Sequence, residues 1–468
     1  MQILNVLQLL LKLNKMEYKL SNYYVASDVL NPNSEISLQT RIIYSTITNF
    51  FYEIKEADYT LLLNQEFDAL DLQLFNLLLQ VKIIRPKNID EFEEVRNDNE
   101  SIDGILSMVL HTSANCQFGC SYCGQSHTKK NISDNVKAKL IEYVQTKLSS
   151  KKYTHFNVVW HGAEPLMSFS NLKDLATEFV EISNQYNVNY SSTIITNGLS
   201  LKNNIFLQLA KHCKVQTFQI TLDGDKEFHD RRRHLKDGLG TFDNIIKNIE
   251  EITTSENEEI LKNVKFVIRI NIDRNNYQGV YNLIDRFAEN LFRKSFVFSF
   301  RPVENYGEVK SKDAHGYSNK EFAEIEIDLM LYSAKLGFPF RNLLPERNYE
   351  TCFALGKEST ALDIYGNMFS CYAFPYTPHE LAESNKIGNI LFDQSTHNRN
   401  TQLHNFKNEV AEEKWPCKSC NLYPSCGGYC PLKWNEGELA CPSYKFNIKE
   451  RLALKYMNSK TQIETLID

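Results

Sequence analysis

The 468-residue chain is 42% hydrophobic and 24% charged, a composition that suits folded globular domains and excludes a disordered or fibrous polymer. Its net charge of −6 argues against a nucleic-acid surface, and the run Arg231-Arg232-Arg233 is too short to supply the clustered basic face that phosphate binding needs. Eleven cysteines in a chain of this size read as metal ligands in a reducing, cytoplasmic compartment rather than as disulfides.

The length calls for two or three domains. The first thirteen residues are apolar, but no basic segment precedes them and no small-residue cleavage site follows, so a signal peptide is not expected. They also fall short of the roughly 20 residues of a membrane span, and translation starting at Met16 is the alternative account of them. A small α/β domain is expected over residues 1–104. Its strand-like pieces are Tyr18 to Val25, Arg41 to Thr48 and Val81 to Ile84, with a helical pattern across Ala69 to Leu79. The acidic, weakly periodic stretch Asp90 to Asp103 reads as a linker. Read from its residues, such a module is a stabilising cap on the domain that follows.

From residue 105 to 335 apolar strands alternate with amphipathic helices, the pattern of parallel βα units. Six strands are expected: Ile105 to His111, Phe156 to His161, Ser192 to Thr196, Thr217 to Leu222, Lys265 to Ile270 and Phe296 to Arg301. Val136, Leu140, Ile141, Val144 and Leu148 give one connecting helix its apolar face. The fold class is therefore α/β, a partial (β/α)6 TIM-like barrel. A ligand belongs at the carboxyl ends of such strands.

The polar motifs fall just after the strands. Strand one is followed by Cys116, Cys120 and Cys123 in C-x3-C-x2-C spacing, with Tyr122 before the last thiol. Three thiolates leave one iron of a four-iron cluster open to a ligand that is not protein. A zinc knuckle needs a fourth ligand, and neither His111 nor His127 lies at a usual finger spacing. After strand two comes Gly162-Ala163-Glu164-Pro165, and after strand three Thr196-Asn197-Gly198. Strand four runs into Thr221-Leu222-Asp223-Gly224, then His229-Asp230 and Arg233; strand five leads into Arg269-Ile-Asn271-Ile-Asp273. Arg231 and Arg232 read as a solvated face.

Beyond an expected helix, Lys320 to Leu336, seven more cysteines follow: Cys352, Cys371, Cys417, Cys420, Cys426, Cys430 and Cys441. Cys213, late in a helical pattern, reads as a core thiol.

The cysteine loop and the motifs after it resemble those of radical S-adenosylmethionine (SAM) enzymes, and the seven-cysteine array resembles the SPASM domain, expected here over residues 336–468. The resemblance implies three 4Fe-4S clusters. Cys116, Cys120 and Cys123 would hold the one that cleaves SAM to a 5′-deoxyadenosyl radical. Cys417, Cys420, Cys426 and Cys441 would hold a distal auxiliary cluster, and Cys352, Cys371 and Cys430 a nearer one with an open iron. Tyr122, Gly162, Ala163, Glu164, Asn197, Thr221, Asp223 and Arg233 would line the SAM site, Arg233 reaching the SAM carboxylate.

By the same resemblance the enzyme would abstract hydrogen from a ribosomally made precursor peptide and close a thioether or carbon-carbon cross-link, with residues 1–104 as the unit that docks the peptide leader. Its electron donor would be a flavodoxin or ferredoxin, with neither nucleic acid nor membrane as partner. Sulfatase maturation to formylglycine is the alternative, disfavoured because those relatives place an aspartate base after the second array cysteine, where this chain has Tyr372. A non-catalytic iron-sulfur or peptide-binding scaffold is the third reading.

Overall fold

The computed structural model describes residues 16–101, 103–304, 316–340, 343–349, 352–392 and 398–464. The apolar first thirteen residues, and with them the question of Met16 as a start, lie outside that set. The chain forms two compact units: residues 1–102, 342–351 and 408–468 make one, residues 103–341 and 352–407 the other.

In the first unit, strands β1 (Tyr18–Leu20), β2 (Tyr24–Ala26), β3 (Thr40–Ser45), β4 (Phe51–Lys55) and β5 (Ile84–Pro86) form two small antiparallel sheets, β1 with β5 and β2-β3-β4. Alternation along β3 decides what each face buries. Ile43 packs with Ile54, Leu62, Leu78 and Ile83, closing a core under the helices Glu56–Leu63 and Leu72–Gln80. Ile42 and Tyr44 point the other way, onto Leu344, Leu422, Ile448 and Leu452 from the distant end of the chain.

Two local expectations are corrected. The strand expected at Val81 to Ile84 sits later, as β5, while Val81 ends a helix. The expected linker Asp90 to Asp103 is instead the helix Glu91–Ser101. Asp90 Oδ1 caps it by accepting from the amides of Phe92 and Glu93 at 3.0 and 3.1 Å. Phe92 and Val95 are buried on one side, and Glu94 pairs with Lys82 and Arg85. Long-range partners thus turn a stretch that is polar in isolation into a docked helix.

The second unit holds β6 (Ile105–His111), β7 (His155–His161), β8 (Asn189–Thr196), β9 (Val215–Thr221), β10 (Lys265–Ile272) and β11 (Phe296–Pro302), all parallel and adjacent in chain order. These are the six expected strands, and they form the partial barrel. Phe206, Phe218, Phe266 and Phe296 stack ring on ring in its core. The free edge of β6 is taken by β12 (Ser359–Leu362), which runs parallel to it, and β13 (Asn367–Phe369) and β14 (Lys386–Asn389) extend the sheet antiparallel. Residues 336–468 are therefore divided between the two units instead of forming a third domain. The physical cause is that open edge, whose unpaired amides and carbonyls β12 satisfies. Among the described residues no helix is long and apolar enough to cross a membrane.

Candidate active site

The loops after β6 to β11 enclose a cavity of about 310 Å³ at the carboxyl ends of the strands. Cys116, Cys120, Cys123, Tyr122, Gly162, Ala163, Glu164, Asn197, Thr221 and Arg233 all line it, so every residue expected there except Asp223 reaches it directly. Asp223 lies behind it, fully buried.

The cysteine loop is held by a segment more than a hundred residues away. Gly119 N–H donates to His234 O, Ser121 N–H to Arg232 O, and Lys236 N–H to Gln117 O. Tyr122 is the junction between the two. Its hydroxyl donates to Asp223 Oδ2 at 2.5 Å and accepts from Arg233 Nη1 at 2.6 Å and Asn271 Nδ2 at 3.1 Å. Asp223 Oδ1 accepts from Asn271 N–H, and Asn276 Nδ2 donates to the backbone carbonyls of both residues. The Asp223 amide donates to His229 Nδ1, which fixes the Nε2–H tautomer, and that nitrogen faces Thr241 Oγ1 at 3.0 Å. Thr241 Oγ1 in turn donates to Arg233 O. Burial keeps His229 neutral, well below the usual histidine range.

One expectation fails at this point. Arg231 is solvated and pairs with Glu227, but Arg232 is buried, ion-paired with Asp273 at 2.9 Å and stacked 5.1 Å from the Tyr122 ring. The helix Lys226–Arg232 explains the difference, because adjacent positions on a helix point about 100° apart.

Glu164 is 1% exposed and ties two strand ends together. Oε1 accepts from Thr196 Oγ1 at 2.7 Å and Leu166 N–H at 3.0 Å, and Oε2 from Asn197 N–H at 2.7 Å. Burial pushes its carboxyl upward, against these hydrogen bonds. Gly162 has φ +118°, and a Cβ there would meet His111 and Ser113 at 3.1 Å, so glycine is required. Position 163 carries no such constraint and takes a methyl group.

The residues fit the cofactors that the resemblance implies. Burial pushes the Cys116 thiol up to about 12 and Cys120 also upward, so these thiols ionise only against a cation such as iron. Arg233 Nε is buried without a partner, as a carboxylate-bearing ligand would find it. Among the described residues no three His, Cys, Asp or Glu side chains converge as a single ion requires; cluster thiolates each bind a separate iron and need not converge.

The remaining cysteines divide between the units. Cys417, Cys420, Cys426 and Cys441 line one small apolar cavity of the first unit. Cys430 belongs to that unit as well, whereas Cys352 and Cys371 belong to the second. Cys213 is buried in the second unit away from other thiols.

Sequence reading passed over His161 and Asn276, and it named Asn271 in the motif after strand five without giving it a role. The alternation of polar side chains at the carboxyl end of β10 (Arg269, Asn271, Asp273) was the available signal for Asn271. His161 lies edge-on to both His111 and Tyr372, and Tyr372 also meets Phe353.

Residues 110–273 match the radical SAM superfamily. The chain is 24% identical over 344 residues to a cysteine-type anaerobic sulfatase-maturating enzyme of Clostridium novyi (strain NT), covering 69% of this chain and 87% of that enzyme. Its fold is similar to that of native anSMEcpe with bound AdoMet, at a TM-score of 0.55 and 17% identity over 77% of this chain and 100% of the other. The structure of Streptococcus suis SuiB bound to precursor peptide SuiA gives a TM-score of 0.49 at 15% identity, over 90% and 97% of the two chains.

Proposed function

We propose that this radical SAM enzyme modifies a peptide, removing hydrogen from an unactivated carbon of a ribosomally made precursor and closing an intramolecular cross-link. The observation that carries the reading is the convergence of three loop thiols, Glu164, Thr221 and Arg233 on one cavity at the carboxyl ends of the strands. A 4Fe-4S cluster and SAM, bound there, supply the homolytic chemistry that protein groups lack.

The chain's own residues do the rest. Cys116, Cys120 and Cys123, which line this cavity, would hold the cluster. Arg233, fixed by Tyr122, has an unpartnered Nε that would be free to bind the SAM carboxylate. Glu164 has three of its roughly four acceptor positions occupied, leaving one for the SAM amino group. Thr221 and Asn197 line the wall beside them. Cys417, Cys420, Cys426 and Cys441, which share one cavity of the first unit, would hold the distal auxiliary cluster. The sulfatase-maturating relative supports a peptide substrate, since a sulfatase is itself a polypeptide.

That relative also favours a second reading, formylglycine formation. Tyr372 weighs against it, because an ordinary tyrosine titrates near about 10 and cannot replace a carboxylate base at neutral pH. The experiment is anaerobic incubation of the reconstituted enzyme with SAM and dithionite, with either a co-encoded short peptide or a cysteine-containing sulfatase peptide. Formation of 5′-deoxyadenosine with loss of two hydrogens and retention of sulfur in the co-encoded peptide is expected. Exchange of sulfur for a carbonyl oxygen in the sulfatase peptide would establish the second reading, and absence of 5′-deoxyadenosine in both would overturn the assignment.

A further inference from the structure

The distal group of thiols has company that four cysteines alone do not require. Tyr444 and Lys445 line the same small apolar cavity. Lys445 Nζ donates to Cys441 Sγ at 3.4 Å, four residues back along the chain. Among the described residues Lys445 forms no ion pair with Asp or Glu. The Tyr444 side chain shares that cavity with Cys426.

A partly buried ammonium is costly unless an anion faces it. Among the described residues the groups that face Lys445 are thiols: Cys441 Sγ at 3.4 Å and, in the same cavity, Cys417, Cys420 and Cys426. Neutral thiols would give Lys445 nothing to compensate its desolvation. Metal-bound thiolates would.

We propose that Lys445, with Tyr444, is a positioning residue that raises the reduction potential of the iron-sulfur cluster held by Cys417, Cys420, Cys426 and Cys441. The inference rests on the reading that these four thiols hold a cluster. One-electron reduction adds one negative charge to the cluster and its thiolates, so a fixed cation and hydrogen bonds to ligand sulfurs stabilise the reduced form more than the oxidised form. The pocket therefore favours taking an electron over giving one.

The test is a potentiometric titration of the full-chain holoenzyme followed by electron paramagnetic resonance, with iron counted in each sample. Lys445→Met should lower the midpoint of one cluster signal, reducing the ratio of reduced to oxidised cluster at the wild-type midpoint about tenfold, or about 59 mV for one electron. Lys445→Arg should restore most of it, and Tyr444→Phe should shift the same signal less, in the same direction. Full iron content with unshifted signals in Lys445→Met overturns the role of Lys445. If Lys445→Met loses iron, Tyr444→Phe decides, and an unshifted signal there overturns the proposal as well. The underlying reading fails separately, if Cys417→Ala with Cys420→Ala leaves iron content and every cluster signal as in the wild type.

Discussion

Three histidines beside the site are kept neutral by their surroundings. Burial first, then the neighbouring His161, pulls His111 well below its usual range; burial and Arg269 bring His161 down to about 4; burial, Arg233 and Arg232 lower His229. Each is released to an ordinary value of about 6.5 on unfolding. The unfolded chain therefore binds more protons than the folded one below that pH. The stability these groups contribute is complete above about pH 6.5 and is lost as the pH falls toward the folded value of about 4. Thermal denaturation between pH 7.5 and 5 should show a falling midpoint, with a shallower slope in His161→Gln; equal slopes would remove His161 from this account. Most of the site was legible at this scale, because cysteine spacing and the acidic and basic residues after each strand carry their chemistry in their identity. Arg232 was not, since a run of three arginines does not say which one turns inward.

Among the elements, the strands were legible from their apolar runs and the turns after them from their polar motifs. The pairing of the cysteine loop with residues 232–236 was hidden, because backbone hydrogen bonds between segments a hundred residues apart leave no trace in composition. The helix Glu91–Ser101 was hidden for the same reason, its stability coming from partners elsewhere. The turn after β8 shows how tightly these ends are built. Gly198 has φ +82°, and an added Cβ would stand 2.9 Å from Ile220 and 3.0 Å from Ile245. Asn248 Nδ2 also donates to the Gly198 and Leu199 carbonyls, fixing the turn against the helix Phe242–Ile252. Gly198→Ala combines a left-handed backbone with overpacking, and a loss of about 2–4 kcal/mol is expected. Chemical denaturation checks it, and a loss under 0.5 kcal/mol, the usual size for a surface change, would show that the turn relaxes freely.

At the scale of the molecule, the first unit depends on joining distant segments, and Arg347 is one of the joints. It is 8% exposed. Its guanidinium donates to Val95 O, Asn99 Oδ1, Asn348 O and Pro424 O, at 3.2, 2.6, 3.1 and 2.7 Å. Replacing it by methionine leaves the buried acceptors Val95 O and Pro424 O short of a donor, each at a cost of about 1–3 kcal/mol. Arg347→Met should loosen this unit selectively, releasing iron from the Cys417 group while SAM cleavage at the Cys116 loop persists; parallel loss of both would mean that the units do not melt separately. The two-unit division was not legible, because a strand edge that accepts β12 and a sheet face that waits for Leu422 and Leu452 are properties of the folded backbone. That waiting face has a consequence for biosynthesis. The ribosome delivers β2, β3 and β4 early, but the side chains that cover Ile42 and Tyr44 leave the tunnel only after the whole barrel has been made. The unit begun first is thus completed last, and in the interval its nascent apolar face is exposed to chaperones and to other nascent chains.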